Sequence, residues 1–279
     1  MCIRDRQDIE ITDNGIPLDG ENAAEGTGDG LEAIEIVSSK GTSPEERKNL
    51  QVQAAQRALL QAEREQTQRF EIATLKYLRE QGRRVSDAMG CNTKDERSVW
   101  DILMGAIPGY DPNSEDAAEQ SAAAWSSLSE ADRTRLVSAF TLGLIDWPQE
   151  ETALLNIFEP LWKESYDKGA GVSAKLYNLQ AVQRPELIST AKLRGGQRVA
   201  GIVDTTKQSI ARIVSAGLEH GDSRATIAKQ IEQEMQTTAG RARVIATQEC
   251  NTSLLTGHYD MMRKACLLYT SPSPRDGAT

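Results

Sequence analysis

Residues 198–265 read RVAGIVDTTKQSIARIVSAGLEHGDSRATIAKQIEQEMQTTAGRARVIATQECNTSLLTGHYDMMRKA, and this stretch decides the fold. Asp204 or Thr205 can cap a first helix, on which Ile210, Ile213, Val214 and Leu218 fall on one face. His220-Gly221 ends it, and Ser223 caps a second helix with Ile227, Ala228, Ile231 and Met235 facing inward. Gly240 breaks the pattern. A third helix follows from Arg241, its inward set Ala242, Ile245, Ala246, Leu254, Leu255 and Tyr259. Three amphipathic helices joined by short turns predict a mainly α fold.

Glu249 sits four residues after Ile245 and therefore projects near the packed face. A partly buried carboxylate needs a partner, and Arg241 or Arg243 is the nearest candidate in sequence. A catalytic role would make Glu249 a general base working with His258. Nine residues on one helix separate the two by about 14 Å, too far for direct cooperation. His220 and His258 are the chain's only histidines, which argues against a histidine-based metal site. The reading is thus a structural ion pair, with no catalytic, cofactor-binding or metal-ligating residues assigned. The Asn251-Thr252-Ser253 sequon is read as idle.

The bulk composition agrees with helices. Aromatic residues make up 5% of the 279 residues and charged residues 26%, with Ala, Gln and Glu abundant. Of the net charge of −9, residues 1–40 supply most, with ten acids and three bases. Residues 195–265 carry nine bases and seven acids. Such a balanced region has little counterion-release drive, so DNA contact through it is not expected. No apolar run is long enough to span a bilayer, and no signal-peptide pattern precedes the first residues. The chain reads as soluble and intracellular.

Working outward, the two ends look foreign to the rest. MCIRDR (1–6) and CLLYTSPSPRDGAT (266–279) resemble translated sequencing-adapter remnants, the second reading as a disordered tail. On that reading the native chain extended in both directions, and Cys2 and Cys266 leave the cysteine count. Cys91 and Cys250 alone make neither a disulfide framework nor a zinc site. Residues 7–40 contain two alternating segments, around Ile9–Ile11 and Leu31–Val37, which predict a short β-hairpin about an acidic loop. Asp13, Asp19 and Asp29 are calcium-ligand types, but the spacing of an EF-hand loop is absent. This segment reads as the remnant of a larger domain.

Ser43-Pro44-Glu45-Glu46 is the best helix start in the chain: a capping Ser, Pro at the first helical position, and Glu three residues after the cap. The helix it opens should run over 43–90, with a stripe of Val52, Ala55, Leu59, Ala62, Phe70, Ala73 and Tyr77, then Val85 and Met89. Its length suggests a packing or coiled-coil arm, with QAEREQTQR (61–69) as a solvated face. Residues 91–145 read as an inserted helical pair. One part is the apolar knot of Trp100, Ile102, Leu103 and Met104; the other is a helix from Ser129 carrying Leu136, Val137, Phe140 and Leu144. Asp146-Trp147-Pro148 opens a further helix bearing Leu154, Leu155, Phe158, Leu161 and Trp162, expected to end at Gly169-Ala-Gly171 with a glycine cap. Trp147, Phe158 and Trp162 read as core anchors.

The order of residues in the organising stretch resembles the phage Mu F-like family of minor head (head morphogenesis) proteins. Thr206, Gly217, Gly221, Ser223, Ile227, Ala228, Arg241, Ala242, Ile245, Ala246, Glu249, Asn251 and Gly257 occupy the places of the family pattern. Thr247 stands where Arg is usual and Gln248 where Thr is usual. The long polar helix and the Trp-Pro helix upstream resemble the C-terminal segment of portal-type proteins. Residues 146–265 would then be a minor head domain cut short, and 43–90 a portal-type arm. The resemblance implies a structural component of a tailed-phage head, packaged inside the capsid at the portal vertex after assembly in the bacterial cytoplasm. Its partners would be the portal protein and other capsid or scaffold proteins, with no enzymatic step, cofactor, membrane or small-molecule substrate. Two other classes are a generic helical scaffold or coiled-coil adaptor, and an enzyme whose catalytic half is missing.

Overall fold

The computed structural model describes residues 43–91, 99–111, 117–179, 185–237 and 239–270, so the expected β-hairpin of 7–40 and Asp13, Asp19 and Asp29 lie outside the described residues. Among the described residues the fold is mainly α: α1 (Pro44–Ser86), α2 (Val99–Gly105), α3 (Ala117–Ser127), α4 (Glu130–Leu144), α5 (Trp147–Leu176), α6 (Pro185–His220), α7 (Arg224–Gln236) and α8 (Ala239–Thr270). A π-helical segment, Asp87–Cys91, prolongs α1.

Local chemistry sets half of the described helix starts. Ser43 accepts a hydrogen bond from the Glu46 amide while Glu46 accepts one from the Ser43 amide, which completes a capping box on α1. Ser129, Asp146 and Ser223 cap α4, α5 and α7 through side-chain oxygens. Gly221, at φ 73°, turns the chain between α6 and α7, a conformation that glycine adopts without a Cβ penalty.

Three long helices form the centre of the bundle. α1 packs against both α5 and α8, and α5 against α8. Residue pairs such as Gln66–Glu164 and Tyr77–Glu150 show α1 running antiparallel to α5. Trp162–Glu249 and Ser173–His258 show α5 and α8 running side by side in the same direction. α7 lies across the C-terminal end of α1, where Gly82 leaves room for the Met235 side chain. α6 crosses α5 and carries α3 and α4 on its C-terminal half. One apolar core, centred on Phe70, Leu154, Phe158, Trp162 and Ala246, joins α1, α5 and α8. A second, around Met89, Trp125, Phe140, Ile210 and Ile231, seats α2, α3 and α4 against α6 and α7. Burial on this scale is what stabilises helices of modest intrinsic propensity.

Several expectations change. α1 is the central element of the core and not an arm; only its first turns, residues 44–53, are wholly exposed. Its buried line runs through Ala55, Ala58, Ala62, Gln66, Phe70, Thr74, Tyr77 and Gln81, so it passes through polar positions that a hydrophobic stripe misses. Gln66, within the supposed solvated face, is fully buried and donates to Glu164 at 2.9 Å. Among the described residues of 91–145 there are three helices; α3 escaped because an Ala- and Ser-rich run lacks a sharp apolar stripe. Ile102, Leu255 and Tyr259 are exposed, and Leu59, Leu136 and Leu155 only half-buried.

Glycine accounts for the remaining differences. Gly169-Ala-Gly171 does not end α5, which continues to Leu176; Asn178, at φ 50°, supplies the left-handed residue instead. Gly169 serves a close helix crossing. A Cβ there would overlap the Leu254 carbonyl, and one at Gly257 would overlap the Tyr166 carbonyl. α6 begins at Pro185 and passes unbroken through Asp204 and Thr205, which cap nothing. Gly240 lies in the first turn of α8, which starts at Ala239. The helix also continues past Ala265 to Thr270, so the first residues of the supposed disordered tail, 266–270, belong to α8.

Candidate functional site

Of the residues that carry the family resemblance, Thr206, Arg241, Glu249 and Gly257 lie where α8 meets α5 or α6, and Gly217, Gly221, Ser223, Ile227 and Ala228 lie where α6 turns into α7. Glu249 is 2% exposed. Its Oε1 accepts from Arg198 Nε at 2.6 Å, and its Oε2 accepts from Arg198 Nη2 at 2.8 Å and Trp162 Nε1 at 2.8 Å. Both carboxylate oxygens are thus satisfied by a bidentate, charge-assisted pair plus an indole N–H, the conditions under which a buried carboxylate is tolerated. The partner expected from sequence, Arg241 or Arg243, is wrong in both cases. Arg241 Nη2 donates across to α6, to the Ile202 carbonyl at 2.6 Å and Thr206 Oγ1 at 3.1 Å. Arg243 is exposed and lies 3.9 Å from Glu71 on α1. Arg243 leaves α8 on another side, toward α1, while Arg241 points to α6 as Glu249 does but two turns earlier, where Ile202 and Thr206 take up its guanidinium.

The rest of the motif is architectural. Ala242 and Ala246 are fully buried where α8 meets α1 and α5, and Ile245 is nearly so. Gly217 lies flush against Ile227, allowing α7 to fold back on α6. Gly257 makes the close crossing with α5, and Gly221 and Ser223 form the α6–α7 turn and cap. Asn251 is half-buried. Thr247 and Gln248, the two departures from the pattern, are both exposed, so neither disturbs a core contact. Gly195 was not singled out from sequence, although a Cβ there would overlap the Trp162 ring; it lets α6 pass over the indole.

Two further polar clusters stitch α1 to α5. Glu150 accepts from Tyr77 Oη at 2.9 Å, Gln81 Nε2 at 3.2 Å and both Arg84 Nε and Nη2, at 2.8 and 2.7 Å. Burial, reinforced by the Glu150 charge, pushes the Tyr77 phenol far above its ordinary value, so it acts as a permanent donor. Glu164 accepts from Gln66 and also pairs with Arg69. Glu150 and Glu249 are each nearly fully buried, and each is matched by one arginine.

His258 does not meet Glu249. Its Nδ1 lies 2.5 Å from the Oγ of Ser173, which is fully buried on α5. Burial holds the imidazole below its ordinary value of 6.5. A histidine kept neutral in the fold binds protons more readily when unfolded, so stability should fall as pH drops below about 6.5. The expected result is that His258→Gln flattens this acid limb between about pH 6.5 and 5, measured by urea unfolding at each pH. An unchanged slope would refute the assignment. Cys250 is buried, and burial pushes its thiol up, away from nucleophilic behaviour. His220 lies exposed at the end of α6.

Among the described residues, no group of three or more His, Cys, Asp or Glu side chains is placed to hold a metal ion, and no helix is long and apolar enough to cross a membrane. No protein-family model matches the chain, and no curated protein or solved structure matches it.

Proposed function

We propose that this chain is a structural component of a tailed-phage head, of the Mu F-like minor head kind, which acts by contact with the portal protein and is packaged in the procapsid. The observation that supports this reading most is the placement of the motif residues. Glu249, Arg241, Gly217 and Gly257 each join or fit one helix against another, and Gly221 and Ser223 form the turn and cap between α6 and α7, as the pattern positions of a structural domain would. Glu249 is held by Arg198 and Trp162 as a link between helices. On this reading the protein performs no turnover and works in the capsid interior at the portal vertex. A second reading, a helical scaffold or coiled-coil adaptor, draws on the exposed first turns of α1, where Leu50 and Val52 face solvent.

Co-expression with the portal protein encoded at the same locus separates the two. Co-elution of this chain with the portal oligomer in size-exclusion chromatography is the expected result. A portal oligomer that elutes free of it, with this chain folded and in excess, would reject the phage-head reading and favour the scaffold.

A further inference from the structure

An open cleft of about 250 Å³ lies between α6 and α8, lined by Arg198, Thr205, Arg241, Gln248 and Glu249 among others. Its charges do not balance. Glu249 is neutralised by Arg198, and Arg241 remains. Arg241 is half-buried, and its Nη2 donates only to neutral oxygens, of Ile202 and Thr206; among the described residues no carboxylate lies within ion-pair distance of it. Burial, offset only in part by the charge of Glu234, pulls its guanidinium below the ordinary arginine value. A desolvated cation facing a cleft favours a single negative charge there. Glu249 on the wall disfavours a doubly charged phosphate.

A strip of exposed apolar side chains leads away from this cleft along α8. Val244 is 66% exposed, Leu255 42% and Tyr259 57%. With Arg241 and Gln248 they fall on one face, at spacings of three, four and seven residues. Large apolar side chains grouped on one helix face beside a positive pocket are complementary to an amphipathic segment bearing an acid.

We propose that the cleft between α6 and α8 receives an Asp or Glu side chain from a protein partner, whose apolar residues lie along Val244, Leu255 and Tyr259. This rests on the phage-head reading only for the identity of that partner, the portal protein. The carboxylate pocket itself does not depend on it.

The test uses the full chain and Gln248→Glu, which places an internal carboxylate in the same cleft as Arg241 at an exposed position. Arg241 Nε–Hε is followed by NMR during titration with butyrate, a monocarboxylate like an Asp or Glu side chain, with sodium chloride and inorganic phosphate at equal ionic strength. The wild type should give a saturable shift with butyrate and none with chloride, and Gln248→Glu should weaken the butyrate response at least tenfold. No saturable shift, an equal response to chloride, or tighter binding of phosphate overturns the pocket. In a second arm, portal capture by the wild type should drop at least tenfold in Gln248→Glu and in Leu255→Asp. Capture unaffected by either substitution overturns the docking surface. A butyrate response without portal capture by any form upholds the pocket and rejects the portal as its partner.

Discussion

Glu249→Ala should lower the unfolding free energy by about 3 kcal/mol, toward the lower end of the range for breaking a buried ion pair. The substitution strands two groups at once. Arg198 loses the one carboxylate that pairs with it among the described residues, and the Trp162 indole N–H loses its acceptor in the core. Arg198 keeps a quarter of its side-chain surface in water, which softens the loss. For a chain of this size the melting temperature should drop by roughly 6–12 °C. Glu249→Gln keeps an acceptor for the indole and should cost less. Urea unfolding followed by far-UV circular dichroism checks both; a loss below about 0.5 kcal/mol, the scale of an ordinary surface change, would remove Glu249 from the architecture.

The second large effect belongs to the crossing of α5 and α8. Gly169→Ala and Gly257→Ala each place a methyl group on the backbone of the facing helix, at the Leu254 and Tyr166 carbonyls respectively. A backbone carbonyl cannot rotate aside as a side chain can, so the helices must separate. The cost should reach about 3 kcal/mol, the upper part of the overpacking range. Both glycines serve one crossing, and the double variant should therefore lose clearly less than the two single losses added together. Thermal melts of the three variants decide the point. Gly257→Ala melting with the wild type would show that the helices do not approach this closely.

What could be read in advance was local. Ser43, Ser129, Asp146 and Ser223 announce helix starts through side-chain capping, a signal confined to four residues, and each caps the helix expected of it. The inward sets of α7 and of the C-terminal half of α6 follow from helical periodicity, and Ile210, Val214, Leu218, Ile227, Ile231 and Met235 are all buried. What escaped was non-local. Arg198 lies 51 residues from Glu249 and Trp162 lies 87, and no rule of spacing couples positions so far apart. The same cause hid the role of α1, since a helix buried on several sides by polar as well as apolar residues shows no clean stripe. Gly169 misled in a different way: glycine that permits a left-handed cap and glycine that permits close packing look alike in a sequence. A Gly-Gly pair inside a helical pattern, as at Gly195-Gly196, is the one advance sign that a large side chain such as Trp162 crosses there.

The place of this chain in a particle is measured most directly by mass spectrometry of heads purified on a density gradient after expression of the intact locus. The expected result is this chain recovered with the portal and coat proteins, protected from added protease until the heads are opened. Heads that contain portal and coat but lack this chain would contradict its assignment as a head component.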